Sequence, residues 1–344
     1  MSNSRFLKAC RREPVDATPV WFMRQAGRYM SEYRALRERH SLLEICRTPD
    51  LATEVTLQPI RRIEVDAAIL FSDLLLPLEP MGMPFDFVKG EGPQIDRPIS
   101  SASDIDALRV FDPREQLSHV LDAVRQVKRE LAGRVPLIGF AGAPFTLASY
   151  AIEGGHSNNF AKTKALMYGH PEAWHQLCEK FTSVVSDFLS AQIDAGVDAV
   201  QLFDSWAGAL GPADYREFAL PHSQRIFKAI EGRVPTIHFG TGTATTLDLL
   251  REAGGDVIGA DWRIPIDTAW ERIGFDRAVQ GNLDPTLLLG PMQRMFTQTE
   301  DILERVNGRP GHIFNLGHGI LPSTPVEHVQ RLAQYVHSAS RRRS

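Results

Sequence analysis

Down the chain, short and uniformly apolar runs end in a small or polar cluster, and each cluster gives way to a stretch with helical spacing. The runs predict strands at Ala67 to Phe71, Pro136 to Phe140, Ala199 to Phe203, Thr236 to Phe239, Val257 to Ala260, Ala278 to Gln280 and His312 to Asn315. None alternates in the manner of a half-exposed strand, so parallel strands covered on both faces are expected. Pro19 to Met23 supplies an eighth strand or lies across one end. Helical periodicity fills the intervals at Glu115 to Leu131, Pro171 to Ala195, Pro212 to Ile230 and Pro325 to Val336, with Pro placed where a first turn tolerates it.

Repeated strand and helix units without a linker predict an α/β fold, a (β/α)8 TIM barrel with an N-terminal extension and long early loops. The chain reads as one domain over residues 1–344, with an arm over 1–40 and a basic tail over 341–344. After the runs come Ser72-Asp73, Ala141 to Pro144, Asp204-Ser205-Trp206, Gly240-Thr241-Gly242, Asp261-Trp262-Arg263, Asn282 to Pro285 and Gly317-His318-Gly319. In a barrel all seven clusters emerge on the face where such folds place their chemistry.

Composition narrows the possibilities. At 344 residues with 43% hydrophobic and 23% charged, the chain has a globular balance, which excludes disordered, collagen-like and coiled-coil classes. A formal charge of -4 gives no overall basic field for nucleic acid, and no apolar run is long enough to predict a membrane span. Cys10, Cys46 and Cys178 are scattered and form no C-x-x-C pair, which fits a reducing, cytoplasmic setting and neither a disulfide framework nor a zinc ribbon. The terminal Arg341 to Arg343 reads as a solvated tail.

Candidate chemistry lies in three places. Arg24 to Arg39 holds Arg24, Arg28, Arg34, Arg37 and Arg39 against Glu32 and Glu38, a local excess of three positive charges. Arginine forks bind carboxylates bidentately, at roughly 1.5 to 3 kcal/mol for each charge-assisted bond, which suits a polyanionic small molecule; a self-paired helix face is the alternative. Gly27 favours the ligand reading, because a glycine lets a ligand approach the backbone. Asp73, between Phe71 and the Leu74-Leu75-Leu76 run, either caps the next turn or holds a charge in a low-dielectric mouth. In the second case it stabilises a cation at about 4 Å by roughly 4 kcal/mol, on the order of a thousandfold in rate. Gly240-x-Gly242 lacks a third glycine, since position 245 is Thr, so a dinucleotide loop is poorly supported. His238 and His318 stand at strand ends without a nearby cysteine, so a hydrogen-bonding role suits His318 better than zinc. Tyr150 and Ser205 are weak signals singly.

Together the segments 19–30, Phe71-Ser72-Asp73, 139–154, 203–208, 281–285 and 315–319 resemble the uroporphyrinogen decarboxylase family, and the resemblance spans essentially the whole chain. Its most specific segment is Arg24-Gln25-Ala26-Gly27-Arg28; one departure is Ser31, where the family usually has Pro. The resemblance implies a barrel enzyme, usually a homodimer, that converts the four acetates of uroporphyrinogen III to methyls without metal or organic cofactor. Carried over, Arg24, Gln25, Ala26, Gly27, Arg28 and Arg37 bind substrate carboxylates, Asp73 faces the pyrrole nitrogens, and Tyr150, Ser205 and His318 line the rim. Asp73, Arg24 and Arg28 are then catalytic, with the arginines mainly orienting the substrate and one of them delivering or positioning the ring proton. Rival readings are a zinc-dependent, corrinoid-linked methyltransferase of the same superfamily and a porphyrin carrier without catalysis.

Overall fold

The computed structural model describes residues 4–88 and 92–341; the tail expected over 341–344 therefore lies, except for Arg341, outside the described residues. Nine strands occur among them: β1 Ala68–Ile69, β2 Phe85–Val88, β3 Gly92–Ile95, β4 Leu137–Gly142, β5 Ala199–Asp204, β6 Thr236–Gly240, β7 Val257–Gly259, β8 Ala278–Gln280 and β9 His312–Ile313. Seven form one parallel sheet in the order β1, β4, β5, β6, β7, β8, β9. Each of the seven expected runs supplies one of these strands. Their burial is nearly continuous, as helices outside and side chains inside require.

The sheet is curled. Gln280 of β8 donates to Gln201 of β5 at 3.0 Å although two strands separate them, and Trp21 donates its indole N–H to Gln280 at 3.0 Å. Strands that far apart in a flat sheet lie about 14 Å from each other, so only a concave face brings these amides together. Pro19 to Met23 is no regular strand. It makes one parallel bridge, Val20 to Phe314, with Phe314 N–H donating to Pro19 O at 2.8 Å, while on its other side Asp66 N–H donates to Val20 O at 2.7 Å.

Several helices differ from expectation where proline intervenes. The run 212–230 divides into Pro212–Phe218 and Leu220–Ala229, because Pro221 lacks an N–H and restricts the residue before it. The run 115–131 also divides, without a proline at the break, into Pro113–Gln116 and Ser118–Leu131 at Leu117, whose φ and ψ of -119° and 27° are not helical, and Pro325 lies just outside Val326–Ala339. Pro171–Ala195 forms as expected, opening on Pro and closing at Gly196, whose φ of 115° only glycine adopts readily. The long early connection carries an unanticipated antiparallel pair, β2 with β3, in the register Phe87 to Pro93.

Candidate active site

A cleft of about 390 Å³ opens at the carboxyl ends of the parallel strands. Phe140, Phe203 and Phe239, at or near the ends of β4, β5 and β6, form its floor. Adjacent rings meet edge to face, at 5.5 Å for Phe140 with Phe203 and 6.0 Å for Phe203 with Phe239. Ile69 and Leu70 extend the floor, and Phe87 and Pro93 of the β2 and β3 pair wall it from outside the sheet. Four of the seven expected clusters reach this cleft, at Ser72-Asp73, Ser205-Trp206, Thr241 and His318-Gly319; Ala141 to Pro144 does not line it, and Trp262-Arg263 and Asn282 to Asp284 line a separate cavity of about 240 Å³.

Asp73 lines the cleft, and one carboxylate oxygen accepts the Leu75 N–H at 2.9 Å. The capping reading and the low-dielectric reading thus both describe it: Oδ1 holds the turn, and the group still faces the cleft. Burial pushes its acidity weaker than an ordinary carboxyl, opposed by the Leu75 N–H and by the Arg24 guanidinium. Tyr150 also faces the cleft. Its phenol is pushed up to about 12 by burial and by Asp73, so it stays a donor at neutral pH.

Arg24 stands at the mouth in a left-handed conformation, φ 59°, held by its neighbours. Asn315 Oδ1 accepts Met23 N–H at 3.1 Å, and Ile320 N–H donates to Met23 O at 2.9 Å. The Arg24 side chain passes over Gly319, where a Cβ would lie 2.5 Å from Arg24 Cδ. Gly319 N–H donates to His318 Nδ1 at 2.7 Å, and burial with the nearby Arg24 and Arg263 lowers the imidazole to about 4. His318 is therefore neutral, with its proton on Nε2. Ser205 lines the opposite wall, its carbonyl accepting from Thr241 Oγ1 at 2.6 Å.

Not every expected ligand joins this set. Arg24, Ala26, Asp73, Tyr150, Ser205 and His318 line the cleft; Gln25, Gly27, Arg28 and Arg37 do not. Gln25 is completely buried: its amide accepts from Phe22 N–H at 3.1 Å and donates to Ala67 O at 3.1 Å, and its carbonyl accepts the Tyr29 hydroxyl at 2.6 Å. A side chain so placed braces the Arg24 segment from within the core. Arg28 is exposed, and Arg37 donates to His40 O at 2.6 Å beside Tyr33. The phenylalanine floor went unassigned in the sequence reading, although each of the three closes an apolar run just before a polar cluster, a signal that marks it. His238 is buried with Nδ1 beside Leu250 O, 3.1 Å away, and among the described residues no three His, Cys, Asp or Glu side chains gather as a metal-binding set.

Comparison with known proteins decides the family. The uroporphyrinogen decarboxylase family model matches residues 1–339. This chain belongs to that family. Uroporphyrinogen decarboxylase of Sorangium cellulosum is 59% identical over 340 residues, covering 98% of this chain and 97% of the relative. That of Roseiflexus sp. is 57% identical, covering 99% of each chain. Among solved structures, a methyltransferase from Methanosarcina mazei superposes with a TM-score of 0.82 over 97% of both chains at 21% identity, and a B12-independent methionine synthase from Shewanella sp. with 0.57 at 11%, covering 84% of this chain and 87% of that one. At such identities the likeness concerns the fold alone.

Proposed function

We propose that this protein decarboxylates the four acetate side chains of uroporphyrinogen III, giving coproporphyrinogen III. The observation that carries the reading is the partly paired Asp73 carboxylate in a cleft floored by Phe140, Phe203 and Phe239 beneath Arg24, in a chain of the decarboxylase family.

Each acetate departs by the same balance. A proton adds to the adjacent pyrrole carbon, leaving a cationic iminium-like ring. The carbon–carbon bond to carbon dioxide breaks, its electron pair neutralises the ring, and the exocyclic methylene takes up a proton to become methyl while the ring carbon gives one back. The net change is one proton in and one carbon dioxide out. Asp73 stabilises the transient cation and accepts the pyrrole N–H groups, a fixed charge in an apolar site where it counts most. Because the pyrrole is its own electron sink, the step needs no separate electron-accepting group. Arg24 orients peripheral carboxylates, Arg28 and Arg37 meet those reaching outward, and neutral His318 and Tyr150 donate hydrogen bonds at the rim. The acetate being lost must not be too well neutralised, or its charge no longer favours departure.

We also propose that the sheet closes as a single-domain (β/α)8 barrel with Pro19 to Met23 in the eighth place, supported by its bonds to Phe314 and Asp66, and that the protein works as a cytoplasmic homodimer, as the resemblance implies. No helix among the described residues is long and apolar enough to cross a membrane. The decisive assay incubates the protein with uroporphyrinogen III under reducing conditions, oxidises the products and counts their carboxylates. Tetracarboxylate product with released carbon dioxide is expected; binding without release identifies a carrier, and stoichiometric zinc in the purified protein would revive a metal-dependent methyltransferase.

A further inference from the structure

Behind the wall opposite Arg24 lies a polar pair that the reaction scheme leaves unused. Asp204 ends β5 and is completely buried. Its Oδ1 accepts the Thr146 hydroxyl at 2.9 Å; its Oδ2 is buried without a partner among the described residues. Thr146, equally buried, lies in the helix Pro144–Glu153 that follows β4. The same Thr146 oxygen accepts the Trp206 N–H at 3.3 Å.

Trp206 N–H can only donate, so Thr146 Oγ1 accepts there, while its hydroxyl donates to Asp204 Oδ1. One hydroxyl thereby ties a strand end, a helix start and the loop that carries Ser205 and Trp206. The Trp206 ring lies 3.8 Å from that of Tyr150, at an interplanar angle of 30°, and Tyr150 sits one turn beyond Thr146 on the same helix. The backbone that Thr146 fixes and the ring that stacks on Tyr150 therefore belong to one residue. Tyr150, Ser205 and Trp206 all line the cleft, whereas neither Thr146 nor Asp204 does.

We propose that Thr146 and Asp204 are positioning residues for the substrate-binding wall: their hydrogen bond orients Trp206, and through it Tyr150 and Ser205, toward the macrocycle. The buried polar neighbourhood suits this purpose. A carboxyl with an unpartnered oxygen costs stability, and an apolar pair of the same volume would pack there without that cost. Retaining the polar pair makes sense where the wall's geometry matters more than its contribution to folding.

The inference rests on the decarboxylase reading, so the test combines kinetics with a signal independent of turnover. Thr146→Val keeps shape and removes the hydroxyl; Thr146→Ser keeps the hydroxyl; Asp204→Asn keeps the acceptor. The near-ultraviolet circular dichroism of the Trp206 and Tyr150 stack is identified first by its loss in Trp206→Phe. In Thr146→Val the band weakens and KM for uroporphyrinogen rises at least fivefold, with a smaller change in kcat. Thr146→Ser and Asp204→Asn stay within threefold of the parent and keep the band. If Thr146→Val does not fold, Thr146→Ala is measured by the same readouts. Unchanged KM and an unchanged band in the hydroxyl-free variant, or equal impairment in Thr146→Ser, would overturn the proposal. A parent protein that releases no carbon dioxide would sink the decarboxylase reading alone, because the band still reports on the wall.

Discussion

At the residue scale, two carboxyls at strand ends, half-buried Asp73 after β1 and fully buried Asp204 at the end of β5, are put to different uses. Asp73 faces the cleft with one oxygen in a turn, and Asn in its place keeps an oxygen for the Leu75 N–H. Asp73→Asn should therefore melt within a few degrees of the parent while losing about a thousandfold in turnover, read as carbon dioxide release. Near-normal turnover would remove Asp73 from the mechanism. Because burial weakens its acidity, the acid limb of the activity profile should lie above the ordinary carboxylate range. Asp204 behaves differently, its carboxyl being pushed up to about 7 by burial despite the Thr146 hydroxyl. Below about pH 4 the folded and unfolded states both hold this proton, and Asp204 contributes nothing to pH dependence. As pH rises toward about 7 the unfolded chain ionises and the folded one does not, so stability declines across that window, by at most on the order of 4 kcal/mol. Asp204→Asn should flatten that decline in urea titrations at pH 4, 5.5 and 7; an unchanged slope would mean that other groups set it. Gln25 illustrates how residue roles escape a sequence. Its neighbours Arg24 and Ala26 do line the cleft, but the positive φ of Arg24 turns the backbone there, and Gln25 points inward to Phe22 and Ala67. Motif adjacency placed all five residues together, and backbone direction separates them.

At the scale of elements, the parallel strands were legible because each is short, apolar on both faces and followed by a polar end, a pattern that burial inside a curled sheet imposes. The β2 and β3 pair was not. Phe85-Asp86-Phe87-Val88 is only four residues with a charge inside it, and Pro93 reads as loop, yet Phe87 and Pro93 wall the cleft. The eighth position of the sheet was ambiguous for a related reason: Pro19 to Met23 makes a single bridge, and its other edge is held by one residue, Asp66, through both its backbone N–H and its carboxylate. Asp66 accepts Val20 N–H at 2.7 Å, Arg5 at 2.7 Å and His337 at 2.7 Å, thereby joining the first helix, the Pro19 segment and the last helix. Such a three-way acceptor has no periodicity, so it is invisible until the chain ends are brought together. Removing it strands the Val20 N–H and the His337 ring in a half-buried place and leaves Arg5 with Asp16 as its remaining carboxylate partner. Asp66→Ala should cost about 2 to 4 kcal/mol in urea unfolding with an unchanged m-value, and Asp66→Asn distinctly less. Equal stability of Asp66→Ala and parent would show that closure does not depend on this junction.

At the scale of the whole molecule, an acidic protein must bind a substrate carrying eight carboxylates, and two electrostatic effects oppose each other. The net charge of -4 repels the substrate, while the excess of arginine in residues 24–39 attracts it locally. Distance decides between them. At physiological ionic strength charges more than about 8 Å apart are largely screened, which silences most of the acidic surface. On the proposed function the arginines act at contact, Arg24 lining the cleft and Arg28 lying exposed outside that lining, and the attraction is still sensitive to salt because both are open to water. Raising salt from 0.05 to 0.5 M, roughly a threefold shortening of the Debye length, should therefore raise KM for uroporphyrinogen several-fold with little change in kcat. Arg24→Ala should begin with a higher KM, release partly decarboxylated intermediates because reorientation between acetates is impaired, and respond less steeply to salt. A KM that falls with salt would mean that global repulsion outweighs the mouth, and the basic segment would then lose its role in capture while Asp73 kept its own beneath it.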